Sequence, residues 1–242
     1  MDNRGNISGL KNKARILIAD DDIVVRKFVG ANLIARGYQV LMAANGEEAL
    51  TIFEVHPLEM IILDLFMPAL DGFAVCRQIR QKSSVPIIIL SATAGEDELV
   101  RCMEMGADDF IAKPFSLPEL LARIRAILRR YRLTAPVRSA FNSGDLEIDF
   151  ENRTVSLKKQ NVDLTAHEFS ILYYLALNAG KPVSCDYLLN NVWGPQYTAN
   201  NRILWVNISR LRKKLQNQAS IESYIHHRVG QGYLLNSGTF TF

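Results

Sequence analysis

No stretch of the chain carries the roughly 18–20 consecutive apolar residues that a membrane-spanning helix needs. The opening residues, MDNRGNISGLKNKAR, are polar and lack the apolar core of a secretory signal. Cysteine is scarce: Cys76, Cys102 and Cys185 stand alone, without metal-like spacing and in an odd number. They read as reduced packing thiols, so the chain is expected to be cytoplasmic and clear of the membrane. Low-complexity tracts and internal repeats are also missing, and with 48% hydrophobic and 22% charged residues wholesale disorder is excluded. One further lack is local. Between Asp186 and Glu222 there is no acidic residue, against five bases, Arg202, Arg210, Arg212, Lys213 and Lys214. The net charge is only +3, so this is a patch rather than a bias, of the kind that meets a phosphate backbone or lines a solvated helix.

What is present falls into two halves. Apolar runs at Arg15–Ala19, Tyr38–Ala43, Met60–Leu63, Ile87–Leu90 and Asp109–Ala112 alternate with helix-period segments. Those segments are Val24–Ala35, Glu47–Phe53, Phe73–Arg80, Glu96–Met105 and Leu117–Arg130. Five strands alternating with five helices predict an α/β, doubly wound, five-stranded parallel sheet covered on both faces. The texture changes at LTAPVRSAFNS, which has no period and carries Pro136. The spacing predicts a first domain over residues 14–132, a linker over 133–143 and a second domain over 144–238. The second half shows short strands (Leu146–Phe150, Thr154–Leu157), then helices at Ala166–Asn178, Cys185–Val192 and Asn200–Leu215. A terminal hairpin around Gly230 and Gly232 closes it.

The strand ends of the first half are unusually polar. The first runs into Asp20, Asp21 and Asp22, the third ends in Asp64, the fourth in Ser91 and the fifth in Lys113. With strand order 2-1-3-4-5 these ends share one edge, where open parallel sheets bind ligands. Clustered carboxylates repel and call for a hard cation such as Mg²⁺. A lysine and a hydroxyl opposite could bind phosphoryl oxygens, and one aspartate could attack phosphorus to give an acyl phosphate. Singly, each residue has an ordinary reading: Asp22 as a helix cap, Lys113 as a surface charge.

The strings ILIADDD, ILDLFMPALDG, PIIILSA and GADDFIAKPF resemble the receiver domain of response regulators. That resemblance implies a flavodoxin-like fold, with Asp64 as phosphoacceptor and Mg²⁺ held by Asp20, Asp21, Asp64 and the Phe66 carbonyl. It implies Ser91 as the switch hydroxyl, Lys113 as the phosphate-binding lysine and Phe110 as a rotating aromatic. A phosphohydrolase reading is open to one objection. Such enzymes carry a second acid two residues after the nucleophile, where Phe66 stands and no proton can be transferred. A phosphoryl group would be accepted and slowly released. The other rival is a receiver-like domain that never takes phosphate.

In the second half, NNRILWVNISRLRKKL has helical period, with Ile203, Val206, Leu211 and Leu215 placed to face a core and Arg210, Lys213 and Lys214 the other side. Arginine and asparagine on a helix suit the major groove. LTAHEFSILYYL, LLNNVWG, VNISRLRKKL and VGQGYLL resemble the OmpR/PhoB class of α+β winged helix-turn-helix effector domains. The resemblance implies DNA contacts from Arg202, Val206, Asn207, Arg210 and Arg212, with Arg228 near the wing, and an RNA polymerase contact from Trp193. It implies a homodimer formed on phosphorylation, paired through Asp108, Asp109, Glu119, Arg123 and Arg130, on tandem half-sites of double-stranded DNA, with a sensor histidine kinase as phosphodonor. Three positions depart from the class. Leu99 stands where a basic partner of Glu119 is expected, Val229 where the wing arginine is expected, and Trp205 where many relatives have an aspartate.

Overall fold

The computed structural model describes residues 14–93, 95–131, 140–198, 200–216 and 224–241. The first half alternates β1 (Arg15–Ala19), α1 (Ile23–Ile34), β2 (Gln39–Ala43), α2 (Gly46–Val55), β3 (Met60–Asp64) and α3 (Gly72–Lys82). It continues with β4 (Ile87–Ser91), α4 (Glu96–Met105), β5 (Asp109–Ala112) and α5 (Leu117–Tyr131). The five strands form one sheet in the order β2-β1-β3-β4-β5, every pairing parallel. Strand side chains alternate between faces, so an unbroken run such as MIILD feeds both. Ile61 and Leu63 join Leu17, Ile87, Ile89 and Val75 on one side. Met60 and Ile62 join Ile16, Ile18, Ile88, Leu120 and Ile124 on the other. Two apolar layers explain why these strands read as continuous rather than alternating.

Short polar side chains start the helices. Asp22 caps α1 by accepting from the Val24 amide at 2.7 Å, Asn45 caps α2, and Asp71 caps α3. The cap reading of Asp22 therefore holds, and Asp22 stands outside the acidic trio that follows.

The second half holds β6 (Ala140–Ser143), β7 (Leu146–Asp149), β8 (Thr154–Leu157), β9 (Gln160–Asn161), α6 (Ala166–Leu177) and α7 (Cys185–Val192). A 3₁₀ turn (Pro195–Tyr197), α8 (Asn201–Leu215), the hairpin β10 (Ile225–Arg228) and β11 (Gly232–Leu235), and β12 (Thr239–Thr241) complete it. Four of these strands and β12 make an antiparallel sheet in the order β12-β6-β7-β8-β9. This corrects one expectation: Ala140–Ser143, read as the end of the linker, is a strand paired to both β7 and β12. Four residues are too short to show a period, but Phe141 is wholly buried beneath the sheet and 5.1 Å from the ring of Phe240. The β12 residues likewise lie past the expected boundary at 238. A capping box opens α6, with Thr165 and Glu168 each accepting from the other's backbone amide.

The hairpin is tied to the domain at Gly232, whose φ is +108°. A Cβ there would sit 2.0 Å from the Val183 carbonyl, and Val183 bridges Tyr233. Only glycine allows that approach.

Candidate functional site

The carboxyl ends of β1, β3, β4 and β5 converge. Lys113 Nζ donates to Asp20 Oδ2 at 2.8 Å and to Asp64 Oδ2 at 2.5 Å. Asp20 and Asp64 are buried, whereas Asp21 is exposed. Ligand atoms of these three carboxylates lie within 4.8 Å of one another. Burial pushes the Asp20 carboxyl up despite the hydrogen bonds from Lys113 and the Asp22 amide. Burial would by itself lower Lys113, but its hydrogen bonds to Asp20 and Asp64 prevail and hold the ammonium above its usual range. Three carboxylates against one ammonium leave about two negative charges in a half-desolvated pocket. Oxygen donors with that deficit suit a hard divalent cation. Gly72 closes the floor: a Cβ there would lie 2.1 Å from the Asp64 carbonyl.

Ser91 at the end of β4 is fully buried; its hydroxyl accepts from the Thr93 amide at 3.2 Å and donates to Glu98 Oε1 at 3.2 Å. Phe110 on β5 is half-buried, packed against the α3 side of the sheet and the core of the second half. Phe66 is 53% exposed beside Asp64, and its amide donates to Asp64 Oδ1.

The charged residues expected to pair receivers across the α4–β5–α5 face are engaged within the chain itself. Asp108 is buried; it accepts from Arg80 and from the Ile87 amide, both at 2.8 Å, and lies 3.3 Å from His167 Nδ1 on α6. Burial opposes ionisation of Asp108, but the His167 hydrogen bond and the Arg80 charge outweigh it and hold the carboxyl below the usual range. Asp109 pairs with Arg123 at 3.0 Å, and the Tyr197 hydroxyl hydrogen-bonds both. Glu119 pairs with Arg123 one turn along α5, at 2.8 Å, so its cation comes from its own helix. The side chain of Arg130 lies outside the described residues.

The α8 helix is buried on two sides. Leu204, Ile208, Leu211 and Leu215 recur at helical spacing and form the stripe turned to its own domain. A second stripe faces α4: Arg202 pairs with Asp97 at 3.2 Å, and Arg210 donates to the Met103 carbonyl at 2.9 Å. Val206 lies on the line between them, and Asn207 flanks it; both are buried. The expected core positions Ile203, Val206, Leu211 and Leu215 are all buried, but in two stripes rather than one. Single-helix periodicity cannot separate burial by a helix's own domain from burial by a neighbour. Arg210 and Lys214 also reach the buried Glu168, at 3.4 and 2.7 Å. Arg212 donates to the Ile225 carbonyl and lies over Tyr233, tied to the hairpin. Arg228 is exposed at the end of β10 opposite Gly232, and Val229 at the tip is 89% exposed. Trp193 is buried and stacked on His167, with ring centroids 4.8 Å apart. Sequence reasoning missed Glu98, His167 and Tyr197. Glu98 and Tyr197 lie outside the strings that carry the resemblance, His167 lies inside one that says nothing of its partner, and the role of each depends on which distant element lies across from it.

An acidic pocket bridged by a lysine at the ends of a parallel sheet, joined to a three-helix module with a glycine-tipped hairpin, is the layout of a receiver coupled to an effector domain. Comparison with known proteins agrees. Residues 16–125 match the response regulator receiver domain, and residues 159–235 match the C-terminal domain of transcriptional regulatory proteins. The chain belongs to the two-component response regulators of the OmpR/PhoB type. It is 40% identical to the probable transcriptional regulator ycf27 of Cyanophora paradoxa, over 93% of this chain and 98% of that protein. It is 38% identical to the alkaline phosphatase synthesis transcriptional regulatory protein PhoP of Bacillus subtilis, over 91% and 96%. Among solved structures it resembles a mutant form of RitR, with TM-score 0.75 and 26% identity over 93% of this chain and all of that one. It also resembles DrrB, an OmpR/PhoB homologue of Thermotoga maritima, with TM-score 0.50 and 30% identity over the same shares. The ycf27 and PhoP relatives are named as transcriptional regulators and DrrB as a response regulator, in keeping with the family to which the chain belongs. Among the described residues no helix is long and apolar enough to cross a membrane.

Proposed function

We propose that this response regulator takes a phosphoryl group on Asp64 from a sensor histidine kinase in the cytoplasm and thereby governs its binding to double-stranded DNA. The observation that carries the reading is the double hydrogen bond of Lys113 to Asp20 and Asp64 within a trio of carboxylates. Asp20, Asp21, Asp64 and the Phe66 carbonyl would hold Mg²⁺, which when bound offsets the charge of the incoming phosphoryl group. An Asp64 oxygen attacks phosphorus, the bond to the kinase histidine breaks, and an acyl phosphate remains. Lys113 then balances a phosphoryl oxygen, and Ser91 and Phe110 turn inward. The exposed phenyl ring of Phe66 neither accepts nor donates a proton, so hydrolysis is slow.

The receiver, residues 14–132, then pairs with a second copy through Asp108, Asp109, Glu119, Arg123 and Arg130. The winged domain, from β6 onward, reads tandem half-sites with Arg202, Val206, Asn207, Arg210 and Arg212, with Arg228 at the wing. Trp193 meets RNA polymerase once it is uncovered. Incubating the chain with a small-molecule phosphodonor and Mg²⁺ tests the core of this reading. Acid-labile phosphate on Asp64 supports it; no incorporation in the wild type points to a receiver that never takes phosphate.

A further inference from the structure

The switch serine does not wait idle. Its hydroxyl donates to a carboxylate, Glu98 Oε1, at 3.2 Å, while Glu98 Oε2 is buried with no hydrogen-bond partner among the described residues. Glu98 thus relies on Ser91 for the hydrogen bond at one oxygen, and a half-satisfied carboxylate turned inward is costly to leave in place. Its neighbours on α4 do something different. Leu99, Val100 and Met103 pack into the core of the winged domain, Asp97 pairs with Arg202, and the Met103 carbonyl takes Arg210. One helix therefore holds the switch residue on its inner side and the stripe of α8 carrying Arg202, Val206 and Arg210 on its outer side.

We propose that Glu98 is a positioning residue for the receiver switch: it latches Ser91 away from Asp64 and so holds α4 where it covers α8. A phosphoryl group on Asp64 competes for the Ser91 hydroxyl. When Ser91 leaves, the hydrogen bond that ties α4 to the end of β4 is lost, and α4 shifts under α8. The covered stripe is then free. The coupling is reciprocal, since whatever captures α8 also releases Ser91. DNA and a phosphoryl mimic should therefore each raise the equilibrium affinity for the other. The proposal depends on Asp64 being the acceptor only where a phosphoryl group enters; the latch itself is testable without one.

Amide exchange over residues 203–210 of the full chain, with no phosphodonor, gives the test. A hydrogen bond to a charged group is worth about a tenfold change or more in an equilibrium. Glu98→Ala and Ser91→Ala should each raise exchange in α8 by about tenfold, and the double variant no further than either single one, because both break the same bond. A residue that merely stabilised α4 would give additive effects, and additivity overturns the proposal, as does unchanged protection in Glu98→Ala. Ser91→Ala breaks the bond from the other side, so it decides the matter alone should Glu98→Ala not fold. A second arm titrates beryllium fluoride with Mg²⁺. Glu98→Ala should bind this phosphoryl mimic about tenfold more tightly than wild type, and equal or weaker binding counts against the latch. If wild type and variant both fail to bind it while the exchange results hold, the acceptor reading fails and the latch stands.

Discussion

The pocket around Asp64 and the face built by α4, β5 and α5 hold similar numbers of charged side chains and use them in opposite ways. In the pocket two of the three clustered carboxylates, Asp20 and Asp64, share one lysine, and Asp20 is pushed toward protonation by its burial. On the face the three carboxylates expected to pair receivers already have cations: Asp108 has Arg80, and Asp109 and Glu119 share Arg123. The first arrangement is short of positive charge and is poised to take up a cation. The second is saturated, and a saturated surface can be buried against another domain without stranding a charge. The difference separates a pocket that could hold a cation from a face that packs against another domain.

The largest expected effect strikes the poised side. Asp64→Asn keeps the shape of the pocket and removes the nucleophile, so acid-labile phosphate should fall to background, at least about 100-fold below wild type. Chelating divalent metal should do the same to the unaltered chain. Wild-type incorporation by Asp64→Asn would erase the distinction between the two regions.

Next come the DNA contacts. Arg210 sits on the stripe covered by α4, whereas Arg228 ends β10 in solvent. On the phosphorylated chain Arg210→Ala should cost about 1–3 kcal/mol of operator affinity, the value of a bidentate guanine contact. Arg228→Ala should cost less and show as a shallower salt dependence that is alike on all sequences. Titrations at several salt concentrations separate the two. A larger, operator-specific loss for Arg228 would mean that the hairpin reads the groove and the covered stripe does not.

Leu99→Arg probes the docking side directly. It places a charge among the apolar residues under α8 and offers the partner receiver's Glu119 a cation. Opening of the unphosphorylated chain by about tenfold should appear as faster exchange in α8. Sedimentation should show tighter pairing of the phosphorylated form, by about 0.2–1 kcal/mol for each exposed ion pair. Glu119 already pairs with Arg123 in its own helix, which keeps the gain small.

The smallest effect returns to the pocket. Phe66→Asn should shorten the acyl-phosphate lifetime a few-fold, because a polar side chain beside Asp64 can orient water where phenyl cannot. An equal or longer lifetime would show that the ring does not shield the site.

Acidity separates the two regions as well. The carboxyl of Asp108 is depressed in the folded chain, so its stabilising contribution is complete above the ordinary aspartate range and is lost only as pH falls through the depressed value. The docked face should thus survive mild acid. Asp20 is shifted the other way, and its ionisation works against folding as pH rises through the carboxylate range.

The pocket was legible because its parts lie at fixed chain positions, at or just after the end of each buried strand. Asp20, Asp64, Ser91 and Lys113 could be read off the strand ends without contacts, and sheet order did the rest. The docked face was not legible. Asp108 and Asp109 were named only by the resemblance, as receiver-pairing residues, and nothing local placed His167 or Tyr197 against them. The second stripe of α8 escaped for a related reason. Val206 and Asn207 look like residues of a reading helix and are both buried here, Val206 on the stripe that faces α4, a helix that lies far earlier in the chain. β6 was hidden by its length, four residues beside a proline-bearing stretch.

The chain has two tryptophans, and they occupy contrasting environments. Trp193 is sealed and stacked flat on His167, whereas Trp205 is 59% exposed on α8. Indole emission shifts to longer wavelength in water, and a stacked imidazole can quench it. The two residues therefore act as independent optical gauges within one unlabelled polypeptide. Separation of the domains would redden Trp193, which borders Glu119 and Arg123 of the receiver, while its stack on His167 stays within the second domain and Trp205 is nearly unchanged. Contact of α8 with a duplex would alter Trp205, so opening and DNA engagement can be timed separately in one stopped-flow cuvette.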